Sequence, residues 1–419
     1  MICFPFRQEK KLCSGCGACA QACLRRALTM EPDDEGFLYP VLDEEKCVRC
    51  GACDAVCPMI SGNHQENANA RSSAYIVKVK DRKIGLNCAT VGLCTWIGMD
   101  CVHDKGVVFG VVLDESSRKA CHARADNADM VRKMSNSKYL QSDTRYTYSE
   151  VKSLLNDGKN VLYVGTPCQI AGLKAFLRKP YGQLLTIDVV CHGVFSPKLQ
   201  ALEVGYWENL FKGKLSGFRF RSKRFFPWFM GAVVNFDMTG PKGKTRHVER
   251  HFKSSPTYRC FAPGGDGLSY NIRLSCYSCP FRGKGRYGDL TVGDAWGLNN
   301  EFPRIFTPRD MIYGIGLLLC NTEKGAAVVD KLGSSYNLHR IPVESAFAQP
   351  ALLEACRPVP AERKAIYEGR MPYGQLVERL TGVRLEREYR KVWWQAFKTR
   401  VKFAIKEIFW IMRTREERI

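Results

Sequence analysis

From Ala74 onward the chain alternates between runs that read as strands and runs that read as helices. Ala74 to Val79 alternates like a strand, and Gly106 to Leu113 is apolar throughout, as a buried strand would be. A helical stretch at Val151 to Leu155 leads into a strand from Asn160 to Gly165. Gln169 to Leu177 then reads as a helix and Leu184 to Val190 as a strand. This rhythm predicts α/β architecture, with ligands at the carboxyl ends of strands. Before it, Ser61 to Ser73 is polar and aperiodic, as expected of a linker. The predicted organisation is a small domain at 1–62, a larger mixed α/β domain at 74–350 and a helix at 384–419.

The first sixty or so residues contain an internal repeat. Cys13, Cys16, Cys19 and Cys23 follow C-x2-C-x2-C-x3-C, and so do Cys47, Cys50, Cys53 and Cys57, with Pro58 next. This is the bacterial two-cluster ferredoxin pattern, in which the fourth cysteine serves the other cluster. The expected ligand sets for two 4Fe-4S clusters are therefore Cys13, Cys16, Cys19 and Cys57, and Cys47, Cys50, Cys53 and Cys23. Gly15, Gly17 and Gly51 supply the permissive backbone needed to wrap a cubane. Zinc also uses C-x2-C pairs, but normally two spaced pairs rather than four cysteines in eleven residues, twice.

Composition narrows the setting. Twenty cysteines with no apolar signal core at the N-terminus suggest thiolates for metal rather than disulfides. The richest apolar run, Met311 to Cys320, is too short to span a bilayer. A cytoplasmic protein is expected. The net charge of +21 invites an anionic partner, but no nucleic-acid signature accompanies it.

Further cysteines follow strand-like segments. Gly165-Thr166-Pro167-Cys168-Gln169 closes one, Cys191-His192-Gly193 another, and Cys276 and Cys279 form a C-x2-C pair. The pair points to metal ligation. Spacing alone leaves Cys168 and Cys191 open between ligands and buried apolar thiols.

Several strings in order carry a resemblance: Ser137-Lys-Tyr-Leu-Gln-Ser142, Val164-Gly-Thr-Pro-Cys-Gln-Ile-Ala-Gly-Leu173, Asp188-Val-Val-Cys-His-Gly193, Phe218-Arg-Phe-Arg-Ser-Lys223, Arg273-Leu-Ser-Cys-Tyr-Ser-Cys279 and Thr291-Val-Gly-Asp-Ala-Trp-Gly297. From about Ala74 to Thr322 the chain resembles the coenzyme F-420 hydrogenase/dehydrogenase beta-subunit family. The resemblance implies a flavin and iron–sulfur domain in which a third 4Fe-4S cluster, held by Cys168, Cys191, Cys276 and Cys279, passes electrons to FAD. Cys260 competes for one of those positions. It implies flavin contacts from Ser137, Lys138, Gln141, Thr166 and Gln169. His192 and Asp294, beside these motifs, are candidate proton shuttles, against the alternative of a loop-bonded histidine and a turn-capping aspartate. Asn87 to Gly92 departs from the family's glycine-rich turn, which bears on the substrate if that loop lies on the flavin.

The implied function is an oxidoreductase moving electrons between a ferredoxin-like donor and a small organic acceptor, coenzyme F-420 or another, in either direction. The alternatives are an electron-transfer subunit without flavin and a binding module with structural clusters. For bacterial members the resemblance carries an association with surface-polysaccharide metabolism. The tail from Arg384 holds eleven Lys or Arg against five Asp or Glu. Trp393, Phe397, Val401, Ile405, Ile408 and Met412 fall at helical spacing. This predicts an amphipathic helix that packs on its own domain or a partner, or lies on a membrane face.

Overall fold

The computed structural model describes residues 9–60, 73–114, 119–261, 269–352 and 358–416. The expected linker thus falls almost entirely outside the described residues. At the N-terminus, β1 (Leu28–Pro32) and β2 (Leu38–Leu42) form an antiparallel hairpin. Short helices at Ala18–Ala22 and Ala52–Ala55 follow the two cysteine loops.

The large domain is built on a nine-stranded mixed sheet. Its strands are β3 (Ser73–Val79), β4 (Val107–Leu113), β5 (Ala120–Ala125), β6 (Ser142–Asp143), β7 (Val161–Gly165), β8 (Leu184–Val189), and further along the chain β12 (Leu290–Asp294), β13 (Gly316–Cys320) and β14 (Tyr336–Ile341). The spatial order is β14-β3-β13-β12-β8-β7-β4-β5-β6. β4, β7, β8 and β12 run parallel, so their carboxyl ends open on one edge of the sheet. Between β8 and β12 the chain makes a separate antiparallel sheet of β9 (Lys214–Arg219), β10 (Val233–Thr239) and β11 (Thr245–His251).

The central strands are apolar on both faces because both faces are covered. In β7, Val161 and Tyr163 pack with the helices Thr147–Asn156 and Pro167–Leu177, while Leu162 packs on the other face with Leu93 and Ile97 of the helix Leu93–His103. The apolar run Met311 to Cys320 is split. It ends the helix Pro308–Tyr313 and then forms β13, all five of whose residues are buried.

The N-terminal module is welded to the first of these faces. Cys16, Ala18 and Val56 belong to the same apolar cluster as Tyr148, Ile170 and Leu173. At the other end, the helix Leu385–Glu416 buries Leu385, Val392 and Ala396. Trp393 stacks on Phe225 with ring centroids 5.3 Å apart, and Arg400 donates to the carbonyls of Lys223, Arg224 and Phe225. No helix among the described residues is long and apolar enough to cross a membrane.

Candidate functional site

Three parallel strands deliver the site. β7 ends at Gly165 and passes into Thr166-Pro167-Cys168, the start of the helix Pro167–Leu177. β8 ends before Cys191-His192, and β12 ends in Asp294. Cys276 and Cys279 arrive from the segment after the three-stranded sheet. Burial raises the Cys168, Cys191 and Cys279 thiols, and close neighbours in this set, Cys276 among them, raise them further. All four line a small cavity of about 40 Å³ together with Ser14, Gly15 and Met59 of the N-terminal module. Cys260 lies elsewhere, in an apolar cluster with Leu199, Tyr270 and Tyr373.

The N-terminal cysteines divide in the same electrostatic sense. Cys57, from the second motif, acts on Cys16 and Cys19 along with Cys13. Cys53 lies beside Cys50 at the outer end, where Cys50 is exposed. Among the described residues no three His, Cys, Asp or Glu side chains converge on a single-ion coordination sphere. The quartets are looser groupings. Burial pushes the Cys16 and Cys279 thiols up to about 12 and Cys191 up to about 11. Thiolates in such surroundings need bound positive charge, which an iron group supplies.

A larger cavity of about 540 Å³ opens beyond the third quartet. Its wall includes Cys191, His192, Gly193, Thr166, Ser137, Asn136, Arg221, Asp294 and Trp296. The volume lies within the range of cofactor sites. The segment Cys88 to Gly92, where the sequence departs from the family turn, forms part of this wall.

Most of the residues expected at a flavin do line the cavity, but their polar atoms are committed elsewhere. Lys138 donates Nζ to the carbonyls of Lys133, Met134 and Ser135 at 3.2, 2.8 and 2.7 Å, capping the helix Ala128–Met134. Gln169 closes a capping box with Thr166 and donates Nε2 to Ser142 Oγ at 2.9 Å. Gln141 faces the N-terminal module: its Oε1 accepts from Leu38 N at 2.8 Å and its Nε2 donates to the Gly15 carbonyl at 3.3 Å. Of that group, Ser137 stands on the cavity wall, while the Thr166 hydroxyl there is already bonded to Gln169 Oε1 at 3.0 Å and Cys168 Sγ at 3.2 Å.

Asp294 is likewise a holding group rather than a free proton carrier. It accepts from Trp228 Nε1 at 2.8 Å, Arg221 Nη1 at 3.1 Å and the Thr90 hydroxyl. Arg221 donates onward to Tyr139 OH at 3.1 Å and Ala89 O at 3.3 Å. Lys223 adds donors to Thr90 O and Tyr313 O, both at 2.6 Å. Together these tie the Cys88–Gly92 wall to β12. His192 lies against Phe261, and its carbonyl accepts from Arg282. Arg221 and Lys223 were not singled out in the sequence. The signal was two cations inside the aromatic string Phe218 to Lys223, where buried charge requires a partner.

Residues 158–345 match the family described as the C terminus of the coenzyme F420 hydrogenase/dehydrogenase beta subunit. Residues 12–60 and 39–97 each match 4Fe-4S dicluster domains. The chain therefore joins 4Fe-4S dicluster segments, the mark of iron–sulfur electron transfer, to a region similar to that subunit's C terminus. Among solved structures, it is similar to a chain of the F420-reducing [NiFe] hydrogenase complex from Methanosarcina barkeri, studied by xenon derivatization. The identity is 13%, the match covers 70% of this chain and 91% of that one, and the TM-score is 0.39. No curated protein matches the chain.

Proposed function

We propose that the chain is a flavin-dependent oxidoreductase that conducts electrons along three 4Fe-4S clusters to FAD in the larger cavity, and from there to a small organic acceptor. The observation that supports this most is adjacency. The quartet Cys168, Cys191, Cys276 and Cys279 shares one small cavity with Ser14, Gly15 and Met59 of the dicluster segment, while Cys191, Gly193 and Thr166 also line the large cavity. An outer cluster at Cys47, Cys50, Cys53 and Cys23, an inner one at Cys13, Cys16, Cys19 and Cys57, the third quartet and the flavin would then lie in series. Exposed Leu24 and Val48 beside the outer set offer a landing place for a ferredoxin-like partner.

The residues present suit a flavin. The wall of the large cavity is mostly apolar, and Ser137 adds a hydroxyl to it. Bound there, a flavin would exchange electrons singly with the iron and in pairs with the organic partner. The chain's own groups fix the chamber. Arg221 and Asp294 brace two walls, and the stacked Trp228 and Trp296, with centroids 4.1 Å apart, close the end beside Asp294. The acceptor, coenzyme F-420 or another, is set by the Cys88–Gly92 wall. Anaerobic purification with iron, sulfide and flavin assayed together tests the proposal. Flavin absorbance should bleach on reduction by ferredoxin, and Cys191→Ser should lose one cluster's iron and uncouple that bleaching. Full iron without flavin would instead mark a subunit handing electrons to a partner protein.

A peripheral contact with an anionic membrane is favoured by one further observation. On the helix Leu385–Glu416, Trp394, Phe397, Val401 and Ile405 are exposed along one stripe opposite the packed face, with exposed Lys391, Lys398, Lys402 and Lys406 beside it. Deleting the helix would also strip its packed face. The cleaner test is Trp394→Ser with Phe397→Ser, which should abolish co-sedimentation with phosphatidylserine vesicles and leave thermal unfolding unchanged. Equal binding to neutral vesicles would refute it.

A further inference from the structure

Among the described residues, five arginines are at least nine-tenths withdrawn from water: Arg221, Arg250, Arg273, Arg286 and Arg363. Four of them face a carboxylate. Arg221 pairs with Asp294 at 3.1 Å, Arg250 with Glu386 at 3.9 Å, Arg286 with Asp188 at 2.5 Å, and Arg363 with Glu35. This is the usual condition for burying a cation. Arg273 is the most buried and has no carboxylate partner among the described residues.

What surrounds Arg273 is sulfur, carbonyl oxygen and an aromatic face. Nη2 donates to Cys13 Sγ at 3.5 Å, and Nε to the Cys13 carbonyl at 2.8 Å. Nη1 reaches Leu38 O at 3.0 Å and Gln141 Oε1 at 3.2 Å. The guanidinium lies 4.0 Å from the centroid of Tyr39. Burial lowers the Arg273 pKa, and Cys13, Tyr39 and Cys276 close by more than offset it. Cys13 belongs to the inner N-terminal quartet, and Cys276, whose amide donates to the Arg273 carbonyl at 2.9 Å, to the third. Arg273 stands three residues before Cys276 in sequence but contacts the N-terminal module. It is wedged between the two quartets.

We infer that Arg273 is the counter-ion shared by the two inner clusters and raises their reduction potentials above that of the outer cluster. This rests on the cluster reading of the two quartets. A 4Fe-4S cluster gains one negative charge with each electron, delivered by an external reductant that is itself oxidised. A fixed cation in a low-dielectric setting stabilises that added charge more than it would in water. Hydrogen bonds to the ligating sulfur act in the same direction. The outer set differs because Cys50 is exposed and water screens its charge. Electrons entering at the outer end would thus settle inward, toward the large cavity. Arg273 is a positioning and tuning residue; it does not touch substrate.

The test uses the full chain, purified and reconstituted anaerobically, as native protein, Arg273→Gln and Arg273→Lys. Iron and sulfide are counted, and each cluster's midpoint potential is followed by electron paramagnetic resonance during titration with dithionite. Arg273→Gln with native iron content should show at least one inner cluster reduced only at more negative potential. Arg273→Lys, which keeps the charge and loses the fork, should fall between. Native iron with unshifted midpoints in the glutamine variant overturns the inference. If that variant loses iron, restoration of iron and of the native order of reduction by lysine supports it, whereas an equally iron-poor lysine variant overturns it. Native protein without iron would refute the cluster reading itself, a result distinct from either.

Discussion

The two halves of the N-terminal repeat share a sequence pattern and a backbone but not an environment. Gly15, whose counterpart in the second copy is Arg49, and Gly51, whose counterpart in the first is Gly17, share the left-handed region, with φ of 71° and 72°. A Cβ on Gly51 would meet nothing within 4 Å. A Cβ on Gly15 would run into Gln141 and come within 2.8 Å of the Arg273 guanidinium carbon. The first half is the docking face, where Gln21, Thr144 and Gln141 stitch it to the large domain. The second half looks outward. A local motif fixes local geometry; which copy becomes the inner one is decided by residues far along the chain.

The sharpest way to break this comparison is at the glycines. Gly15→Ala combines left-handed strain with collision into two buried groups, and should cost about 3 kcal/mol or more. Gly51→Ala carries only the strain, about 1–2 kcal/mol. Thermal unfolding and iron retention should show the gap, and equal losses would mean that the two halves are equally free. Gln141→Leu leaves Leu38 N and the Gly15 carbonyl without their buried partner, at about 1–3 kcal/mol for each orphaned group. Chelator should then strip iron from the inner set faster, with the outer set unchanged.

Acid provides a third test. Buried His122 stacks on Tyr163, whose hydroxyl lies 3.0 Å from Thr147 Oγ1, beneath the docking face. Burial pushes His122 down to about 4 from its ordinary 6.5. Between those values the unfolded chain binds the proton and the folded one does not. Stability is therefore complete above about pH 6.5 and falls as the pH drops toward 4, by about 1.4 kcal/mol per unit at most. His122→Phe keeps the stack and should flatten the pH dependence of unfolding between pH 7 and 5. The smallest effect belongs to the outward half. Val48→Ser should leave stability within about 0.5 kcal/mol and slow only reduction by an external protein donor, as measured by stopped-flow.

Much of the fold was legible because its signals are local. The buried strands β4, β7 and β8 and the helix Pro167–Leu177 each follow from a short apolar run. The dicluster segment follows from cysteine spacing alone. The division of labour around the cavity did not, because it depends on distant partners: Gln141 bonds Gly15 across 126 residues and Arg273 bonds Cys13 across 260. Lys138, Gln141 and Gln169 stood in the right strings, but each is occupied in holding backbone or a neighbouring segment. One of these was readable, since Thr166-x-x-Gln169 ahead of an apolar run is a capping box. The tail illustrates the same limit. Its spacing gave the helix, while only the packing of Val392 and Ala396 shows which side faces the protein.

The third quartet draws its sulfurs from Cys168, Cys191, Cys276 and Cys279, so the three-stranded sheet must be made before the set is complete. The sulfurs of the dicluster segment all come from residues up to Cys57. During synthesis the two ends of the proposed electron path would therefore mature at different times. The N-terminal iron could be inserted while the ribosome is still working, and the innermost iron only after the core has closed around its pocket.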